Sequence, residues 1–239
     1  MQMSEPSQSQ NHPAPQAIHH ELRNAENSAA YLMPTLRRMV ENKPGLTLLD
    51  VGAGSGTISV ALAKAVPDGQ VTAVDVKADI LPRARAIASS ASVRNIEFEQ
   101  ADGYKLPFPN DAFDVTHCHQ VLAHLKEPWT VLAEMIRVTK PGGVVACREG
   151  DLETEFVWPE LSGLRKFHDL AAQCIRMVGG SSAAGRQLLS WALKAGVERS
   201  KVTTSFGAWG YSETEERRVW GRFCLSCSVA LDAFRRIRY

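Results

Sequence analysis

Three glycines at alternate positions, Gly52, Gly54 and Gly56, lie between an apolar run and a helical pattern. The apolar run predicts a buried strand, and from Thr57 onward apolar side chains recur at helix spacing. Glycine permits a sharp turn and a close approach by a ligand, because it has no Cβ. The helix start behind such a turn offers unpaired N–H groups and a partial positive charge. We therefore expect this stretch to cradle a small ligand.

A carboxylate at Asp50, two residues before the first glycine, narrows the kind of ligand that the turn can hold. A dinucleotide site needs a glycine where this chain has Thr57, so that a pyrophosphate can rest on the helix start. Asp50 would also repel a pyrophosphate. An acid here suits a ligand with a cationic part. S-adenosylmethionine carries an ammonium for Asp50, a carboxylate for the helix start and a sulfonium.

Two further acids, Asp75 and Asp102, come at the ends of predicted strands and suggest contacts to a nucleoside. Asp75 ends the run Val71–Val76, about 20 residues after the glycine turn, where nucleotide-binding folds place a carboxylate on the ribose hydroxyls. A helix N-cap is the other interpretation, but Asp79 fits that role better. Asp102 and Gly103 follow the next strand, where they are expected at an adenine edge or in an Asx turn.

Three histidines near the end of a fourth predicted strand are candidates for a general base: His117, His119 and His124. Alternation puts His117 and His119 on the same side of the strand, and His119 lies closer to its open end. His119 is the preferred base for an acceptor hydroxyl or amine, although packing against a cofactor explains it equally well. His124 is expected to pack within the following helix.

Other side chains are expected on the acceptor side of the same site. Arg148 and Glu149 end the fifth predicted strand, where they either face the substrate or pair with each other. Trp158 is expected to line the acceptor pocket, since aromatic walls are typical of such sites. Tyr31 approaches from a helix before the first strand, although aromatic residues at helix spacing usually belong to a core.

Strand-like and helix-like runs alternate along the chain, which predicts right-handed βαβ units and a parallel sheet. Ligands bind such sheets at the carboxyl ends of the strands, where the glycine turn, the two acids and His119 all fall. Two helices separated at Pro34 are expected before the first strand. The run from Lys201 to Phe206 predicts a sixth strand, and a last helix begins near Glu213.

This pattern predicts one domain after a polar tail. Residues 1–17, rich in Ser, Gln, Pro and Asn, are expected to be disordered. Residues 18–239 are expected to form the domain, with N-terminal helices at 18–45. A cofactor-binding core follows at 46–150, and substrate-side helices with the last strand occupy 151–239.

The composition limits the partners and the compartment. A length of 239 residues suits one ordinary core. A formal net charge of +1 gives no argument for nucleic acid or an anionic membrane, and no apolar run approaches the ~20 residues that span a bilayer. Five cysteines suggest free thiols in a reducing compartment, so a cytoplasmic protein is expected. Cys224 and Cys227 have metal-like spacing but no second pair, and no metal is expected.

Five stretches together resemble the class I S-adenosylmethionine-dependent methyltransferases: LLDVGAGSGTIS, VTAVDV, EQADGYKLPF, FDVTHCHQVLAHL and RVTKPGGVVACRE. Within that class, the chain is similar to the ubiquinone/menaquinone-biosynthesis branch and to small-molecule methyltransferases of bacterial and fungal secondary metabolism. The resemblance implies an α/β fold, a doubly wound, mostly parallel sheet of Rossmann-like methyltransferase type, with N-terminal helices and a helical C-terminal addition. It also implies S-adenosyl-L-methionine as cofactor and a small-molecule acceptor.

The resemblance assigns the cofactor to positions along four strand ends. They are, for the methionine part, Asp50, Gly52, Gly54 and Gly56, directly or through water; for the ribose, Asp75; for the adenine, Asp102 and Gly103; and for the methyl end, the backbone near His119 and Gln120. Tyr31, Arg148 and Trp158 are the expected substrate-side residues.

Two departures from the family pattern matter. Ser55 stands where the family often has proline. The chain also stops at Tyr239, where family members usually continue to a further strand, so the final antiparallel strand is expected to be missing. An open sheet edge invites association. A homodimer, a partner chain or the chain's own C-terminal helix is therefore expected to complete the edge.

Two other functions compete with methyl transfer. An NAD(P)-dependent oxidoreductase is disfavoured by Asp50 and by Thr57 in place of the third glycine. A catalytically silent relative that acts as a binding or regulatory protein is consistent with the early chain end. Oxygen, nitrogen, sulfur and carbon acceptors all stay open at this point.

Overall fold

The fold is a five-stranded sheet with helices on both faces, seen in a computed structural model that describes residues 21–221. Its strands are β1 (Thr47–Val51), β2 (Gln70–Asp75), β3 (Ile96–Gln100), β4 (Phe113–His119) and β5 (Thr139–Arg148). Its helices are α1 (Ala25–Ser28), α2 (Met33–Asn42), α3 (Thr57–Ala65), α4 (Leu81–Ser90), α5 (Pro128–Val138), α6 (Ser162–Met177) and α7 (Ala184–Lys194). Residues 214–221 are also helical.

The strand order is β3-β2-β1-β4-β5, and every neighbouring pair is parallel. The chain runs outward from β1 through β2 to β3 and then crosses back to β4 on the other side of β1. All five carboxyl ends therefore meet at one edge, and the strand order reverses between β1 and β4. Doubly wound sheets bind ligands at that reversal. The predicted fold class is confirmed.

Apolar side chains of the strands alternate between two cores, one on each face of the sheet. Leu48 and Val115 are fully buried on one face, together with Leu36 of α2. Leu49 is fully buried on the other face, against Met135 of α5. Because successive strand side chains point to opposite faces, an uninterrupted apolar run such as that of β1 fits a sheet covered on both sides.

The two helices expected before β1 are present, and a short connection separates them. Asn24 caps α1, since its Oδ1 accepts the N–H groups of Glu26 (2.9 Å) and Asn27 (3.0 Å), and Asn27 Oδ1 accepts the Asn24 N–H (2.9 Å). Pro34 lies in the first turn of α2, where no helical partner for its nitrogen is needed. Tyr31 therefore lies in the connection and not within a helix.

The sixth strand predicted from Lys201 to Phe206 is wrong. Lys201 ends a 3₁₀ turn that begins at Arg199, and residues 202–212 pair with no strand of the described part. Phe206 is 91% exposed. Alternating β-branched residues suit a pleated, half-buried surface, but a strand also needs a neighbour for its N–H and C=O groups. Here the run is an extended loop.

Smaller differences concern helix starts and the ends of the chain. The expected N-cap role of Asp79 is wrong, because a 3₁₀ turn from Ala78 to Ile80 leads into α4 without a side-chain cap. Within residues 21–221, no antiparallel strand joins the sheet and no helix is long and apolar enough to cross a membrane. The predicted tail at 1–17, Cys224 and Cys227 lie outside the described residues, and a partner at the edge of β5 stays a prediction.

Candidate active site

The glycine turn joins the end of β1 to the start of α3, and its three glycines have different reasons to lack a side chain. Their φ angles are +77° at Gly52, +54° at Gly54 and +80° at Gly56, a region that favours glycine. A Cβ on Gly52 would overlap Val121 Cγ2, and one on Gly56 would lie 2.9 Å from the Phe98 ring. A Cβ on Gly54 would meet no atom within 4 Å. Gly54 therefore borders open space that a ligand can fill.

The carboxylate of Asp75 holds this turn from the neighbouring strand end. Asp75 Oδ2 accepts the Gly54 N–H at 2.8 Å, and Oδ1 accepts the Lys77 N–H at 2.9 Å. The Gly52 N–H donates to the Val74 carbonyl oxygen at 2.8 Å. A carboxylate has about four lone-pair sites, so Asp75 keeps acceptor capacity for the hydroxyls of a ribose. It lies half-buried beside the space above Gly54.

Asp102 and Gly103 follow the end of β3 in a tight turn. Asp102 Oδ1 accepts the Tyr104 N–H at 2.9 Å, which is the Asx turn named as the alternative. A Cβ on Gly103 would lie 3.3 Å from Val131 Cγ1 and 3.4 Å from Val51 Cγ1, so close packing explains this glycine. The Asp102 side chain is exposed. Its contact with an adenine stays a prediction.

Asp50 is engaged within the protein. Its Oδ1 lies 2.7 Å from His117 Nδ1, and its Oδ2 accepts the Ser59 hydroxyl at 2.5 Å. The register between β1 and β4 sets Asp50 beside His117, and the two residues are only 3% and 0% exposed. Both oxygens expected to meet a ligand ammonium thus already have protein partners. His117 is fully buried against this carboxylate, which disfavours it as a base for an acceptor.

The end of β4 brings His119 and Gln120 to the reversal point of the sheet. His119 is 7% exposed and lies beside Arg148 in the register with β5. Gln120 has a φ of +52°, and its N–H donates to the Arg148 carbonyl oxygen at 2.9 Å. A left-handed conformation is unfavourable for a residue with a Cβ, so surrounding contacts must hold it.

Glu149 holds the three residues that follow Gln120, a role that the sequence analysis missed. Its carboxylate accepts the N–H groups of Val121 (2.9 Å), Leu122 (2.8 Å) and Ala123 (3.3 Å), at the open start of a 3₁₀ turn. Burial raises the pKa of Glu149 to about 7, although the three N–H groups act in the opposite direction. Glu149 forms no ion pair with Arg148, so that expectation is wrong.

Arg148 instead reaches across the edge of the sheet to the segment before β1. Its Nη1 donates to the Asn27 carbonyl oxygen at 2.5 Å, and its Cζ lies 5.7 Å from the ring centroid of Trp209. Arg23 lies over the same ring, at 5.8 Å. Segments from before β1 and after α7 therefore meet beside the end of β5. Nothing in the local sequence signals this, because the contacts join distant parts of the chain.

Tyr31 packs against the core on the α2 and α3 side, and its hydroxyl is buried without a hydrogen-bond partner in the described part of the chain. Burial raises the pKa of Tyr31 well above its usual value, with the nearby thiols of Cys147 and Cys118 adding to the effect. The phenol therefore stays neutral near pH 7. It can donate a hydrogen bond to a ligand but does not act as a base.

Two side chains are more exposed than expected. Trp158 is 87% exposed in the loop before α6, and its place in an acceptor pocket stays a prediction. His124 is exposed at the end of the 3₁₀ turn after β4, since that turn ends before α5 begins. Among residues 21–221, no group of three or more His, Cys, Asp or Glu side chains could hold a metal ion, and Cys118, Cys147 and Cys174 are free thiols.

Together, the strand order, the glycine turn after β1 and the acid at the end of β2 define a Rossmann-like class I methyltransferase. Residues 42–196 match the model of a family described as a methyltransferase domain, and the chain belongs to that family.

Similar proteins agree with this assignment. An uncharacterised methyltransferase of Schizosaccharomyces pombe is 35% identical over 210 residues, which cover 84% of this chain and 72% of that protein. A demethylmenaquinone methyltransferase of Geobacillus stearothermophilus is 31% identical over 75% of this chain and 76% of its own length. The crystal structure of a candidate methyltransferase from Bacillus halodurans C-125 matches with a TM-score of 0.53 at 24% identity, covering 69% of this chain and 68% of that one. That structural match supports the fold.

Proposed function

We propose that this protein transfers a methyl group from S-adenosylmethionine to a small-molecule acceptor. The observation that carries the proposal is the open space at Gly54, bordered by the half-buried carboxylate of Asp75. A ribose diol suits that carboxylate, and a ligand backbone can lie against the glycine turn. The family assignment supports the same chemistry.

The cofactor fits the residues at four strand ends. Asp75 would bind the ribose, Gly54 would border the methionine part, and Asp102 would approach the adenine. His119 and Gln120 would line the methyl end, beside the turn that Glu149 holds. Because Asp50 already has two protein partners, we assign it first to holding the turn and only through water to the ligand.

The protein's own side chains would act by holding the acceptor and the cofactor in place. When bound, S-adenosylmethionine supplies an electrophilic methyl group on a sulfonium, and holding the acceptor in line with it accounts for much of the rate. His119 would take the proton from an acceptor hydroxyl or amine. The neutral phenol of Tyr31 would orient the acceptor by donating a hydrogen bond.

A quinone-like or secondary-metabolite acceptor is the finer part of the proposal. The Geobacillus relative, named as a demethylmenaquinone methyltransferase, matches three quarters of both chains and supports an aromatic acceptor of this kind. The indole of Trp209 at the edge of the sheet offers an aromatic surface. Methyl transfer is tested with labelled S-adenosylmethionine and a panel of quinol, phenol and amine acceptors, with mass spectrometry of the products. Cofactor binding without transfer to any acceptor would contradict the enzymatic part.

Replacing Asp75 with alanine tests the cofactor site directly. Loss of a charge-assisted hydrogen bond costs about 1.5–3 kcal/mol, so affinity for S-adenosylhomocysteine should fall roughly 10- to 100-fold. Isothermal titration calorimetry on the folded variant measures it. Asp79→Ala, an exposed acid on the following 3₁₀ turn, is the matched control and should bind like the wild type. Unchanged affinity for Asp75→Ala would remove Asp75 from the site.

A further inference from the structure

Two thiols lie side by side on the last two strands of the sheet. The register between β4 and β5 pairs Cys118 with Cys147. Directly paired residues of parallel strands point to the same face of a sheet, and both side chains pack in the core that contains Met135 of α5. The two thiols are close enough to share a hydrogen bond. The fold therefore builds a pair of adjacent thiols from two separate strands.

The two thiols differ in how easily a solute can reach them. Cys118 is fully buried on β4, which has a strand on each side, whereas Cys147 is half-buried on β5, at the edge of the described sheet. The hydrogen bond with Cys147, together with burial, raises the pKa of the Cys118 thiol well above its usual value. Because the thiolate is the reactive form, Cys147 is the thiol that a small oxidant attacks first.

The spacing of the strands permits a bond between the two sulfur atoms. Neighbouring strands lie about 4.7–4.9 Å apart, and the Cα atoms of a disulfide are usually about 4.4–6.8 Å apart. Within the described sheet β5 is paired with β4 alone, so it can adjust without disturbing a second neighbour. In residues 21–221 no group of three or more metal-binding side chains includes the pair. Thiol oxidation therefore suits this pair better than metal binding does.

The thiol pair lies next to the proposed methyl end of the cofactor. His119 and Arg148 form the following pair in the same register. The Arg148 carbonyl oxygen accepts the Gln120 N–H at 2.9 Å, and this contact joins the ends of the two strands. A change in the spacing between Cys118 and Cys147 therefore reaches the residues that we assign to the ligand.

We propose that Cys118 and Cys147 form a redox-sensitive thiol pair, which a hydroperoxide converts to a disulfide and a dithiol reductant restores. The disulfide weakens ligand binding at the ends of β4 and β5. This effect on binding rests on the proposed function, whereas the formation of the bond does not.

The oxidation takes two balanced steps, written here for hydrogen peroxide. The Cys147 thiolate attacks one peroxide oxygen, the O–O bond breaks, and the departing hydroxide takes up the thiol proton as water, which leaves a sulfenic acid. The Cys118 sulfur then attacks the sulfenic sulfur, the S–O bond breaks, and the hydroxyl leaves with the Cys118 proton as a second water. The two thiols lose two electrons, which the peroxide accepts. Their proximity offsets the small thiolate fraction of Cys118.

Peptide mapping by mass spectrometry after peroxide treatment tests whether the bond forms. The full chain carries Cys224→Ser and Cys227→Ser, so that only Cys118, Cys147 and Cys174 can react. Free thiols are alkylated in denaturant, with and without prior dithiothreitol. We expect a cross-linked peptide that joins Cys118 to Cys147, and dithiothreitol should return both thiols. Two thiols that stay free, or a sulfinic acid at Cys147 beside a free Cys118, would overturn the proposal.

Single substitutions in this background separate the roles of the two thiols. In Cys118→Ala, Cys147 has no resolving partner and should proceed to a sulfinic acid, which dithiothreitol does not reduce. In Cys147→Ala, the buried Cys118 should stay a free thiol. Cys174→Ala removes a half-buried thiol of α6, and this matched control should form the disulfide as before. A reversible disulfide that persists in Cys118→Ala would assign the oxidation to other residues and overturn the pairing.

Calorimetry tests the effect of the disulfide on the site. The affinity for S-adenosylhomocysteine should fall roughly 3- to 10-fold on oxidation, the equivalent of one lost hydrogen bond, and should return on reduction. The affinity of Cys147→Ala should not respond to peroxide. An unchanged affinity in protein that carries the disulfide would overturn the effect on binding. Reduced protein that does not bind S-adenosylhomocysteine would instead contradict the proposed function, and peptide mapping would still decide the thiol pair.

Discussion

Acidic residues of one type take different roles here because their neighbours differ. Asp75 accepts two backbone N–H groups and remains half-buried beside the cleft, while Asp50 is buried between Ser59 and His117. Asp114, at the opposite edge of the sheet, binds two lysine side chains at 2.6 Å and 3.1 Å. Spacing along the chain predicts which acids end a strand. The partners that decide the role come from other strands, so they do not follow from local sequence.

The contacts that the sequence analysis missed also join distant parts of the chain. Arg148 Nη1 contacts the Asn27 carbonyl oxygen across 121 positions of sequence, and Trp209 approaches Arg23 across a greater separation. Glu149 was expected to face the substrate or pair with Arg148, because the two residues end the fifth predicted strand. Its true partners, three successive N–H groups, appear only when the turn after β4 folds back on β5.

The raised pKa of Glu149 predicts that the free energy of unfolding depends on pH. Burial raises its pKa from 4.5 to about 7, so between these values the folded protein holds a proton that the unfolded chain has released. Its contribution is therefore complete below about pH 4.5 and is lost as the pH rises through 7, up to about 3 kcal/mol in all. Urea denaturation at pH 5 and pH 8 measures the effect. The free energy of unfolding of Glu149→Gln, taken relative to the wild type, should be higher at pH 8 than at pH 5 by about 3 kcal/mol.

Glu160→Gln, which removes an exposed carboxylate, is the control for this measurement and should leave the pH dependence unchanged. Parallel stability profiles for the wild type and Glu149→Gln would show that Glu149 stays ionised throughout.

His119 predicts a selective effect on turnover. If it takes the acceptor's proton, His119→Ala should lower kcat by ~10² or more while affinity for S-adenosylhomocysteine changes little. Steady-state kinetics together with calorimetry separate the two effects. His124→Ala, at the exposed end of the next turn, is the matched control. A loss confined to cofactor affinity would make His119 a wall of the cofactor site.

At the scale of elements, the glycine turn at residues 52–56 contains both a tightly packed glycine and one that borders open space. Gly52 is pressed against Val121, whereas Gly54 borders open space, yet both have positive φ. The sequence predicts the turn, since glycines after an apolar run and before a helix have few other uses. It does not predict which glycine borders open space, because that depends on where Val121 of the turn after β4 lies.

Alanine substitutions at these two glycines should therefore differ. Gly52→Ala adds overlap with Val121 to the backbone strain and should lose about 2–4 kcal/mol in free energy of unfolding. Gly54→Ala carries the strain alone, about 1–2 kcal/mol, but should weaken binding of S-adenosylhomocysteine. Denaturant unfolding and calorimetry measure both quantities.

A second substitution checks the cause. Val121→Ala removes the overlapping methyl group, so it should recover part of the stability lost in Gly52→Ala and none of that lost in Gly54→Ala. Equal recovery in both backgrounds would count against the packing explanation.

The predicted sixth strand shows that a strand-like residue pattern does not by itself predict a strand. The run at 201–206 has the residues of a strand but is an extended loop in the described structure, with most of its side chains exposed. The five true strands were recognisable because each contains buried apolar side chains and is separated from the next by a helix or turn. A further strand must also lie against the sheet so that its N–H and C=O groups find partners, and the composition of the run does not show where it lies.

The alternation of strands and helices predicted the topology of the whole molecule. It did not predict that the two flanks of the sheet, the N-terminal segment and the loop after α7, contact each other. The N-terminal segment and the loop after α7 meet through Arg148, Trp209 and Arg23. Neither flank has a regular strand there. Their meeting depends on charge and aromatic contacts that no periodicity encodes.

The contact between the two flanks predicts that their amide hydrogens exchange more slowly when a ligand binds. S-adenosylhomocysteine should slow amide hydrogen exchange in residues 21–31 and 207–212, beyond the slowing at the glycine turn, because these segments meet at Arg148, next to His119 of the proposed site. Exchange followed by mass spectrometry measures it. Protection at the turn alone would show that the flanks do not respond to the cofactor. The 3₁₀ turn from Arg199 to Lys201, away from the described contacts, is the internal reference.

The short turn after β4 contacts two other segments, the glycine turn after β1 and the loop between α6 and α7. Val121 packs against Gly52 of the glycine turn, and the Ala123 carbonyl oxygen accepts the Ser181 N–H at 2.8 Å from the loop between α6 and α7. Glu149 holds the N–H groups of both turn residues. The turn after β4 is therefore fixed to the glycine turn on one side and to the loop between α6 and α7 on the other. Loss of the Glu149 carboxylate should disturb both contacts at once, because Glu149 accepts the N–H groups of Val121 and Ala123.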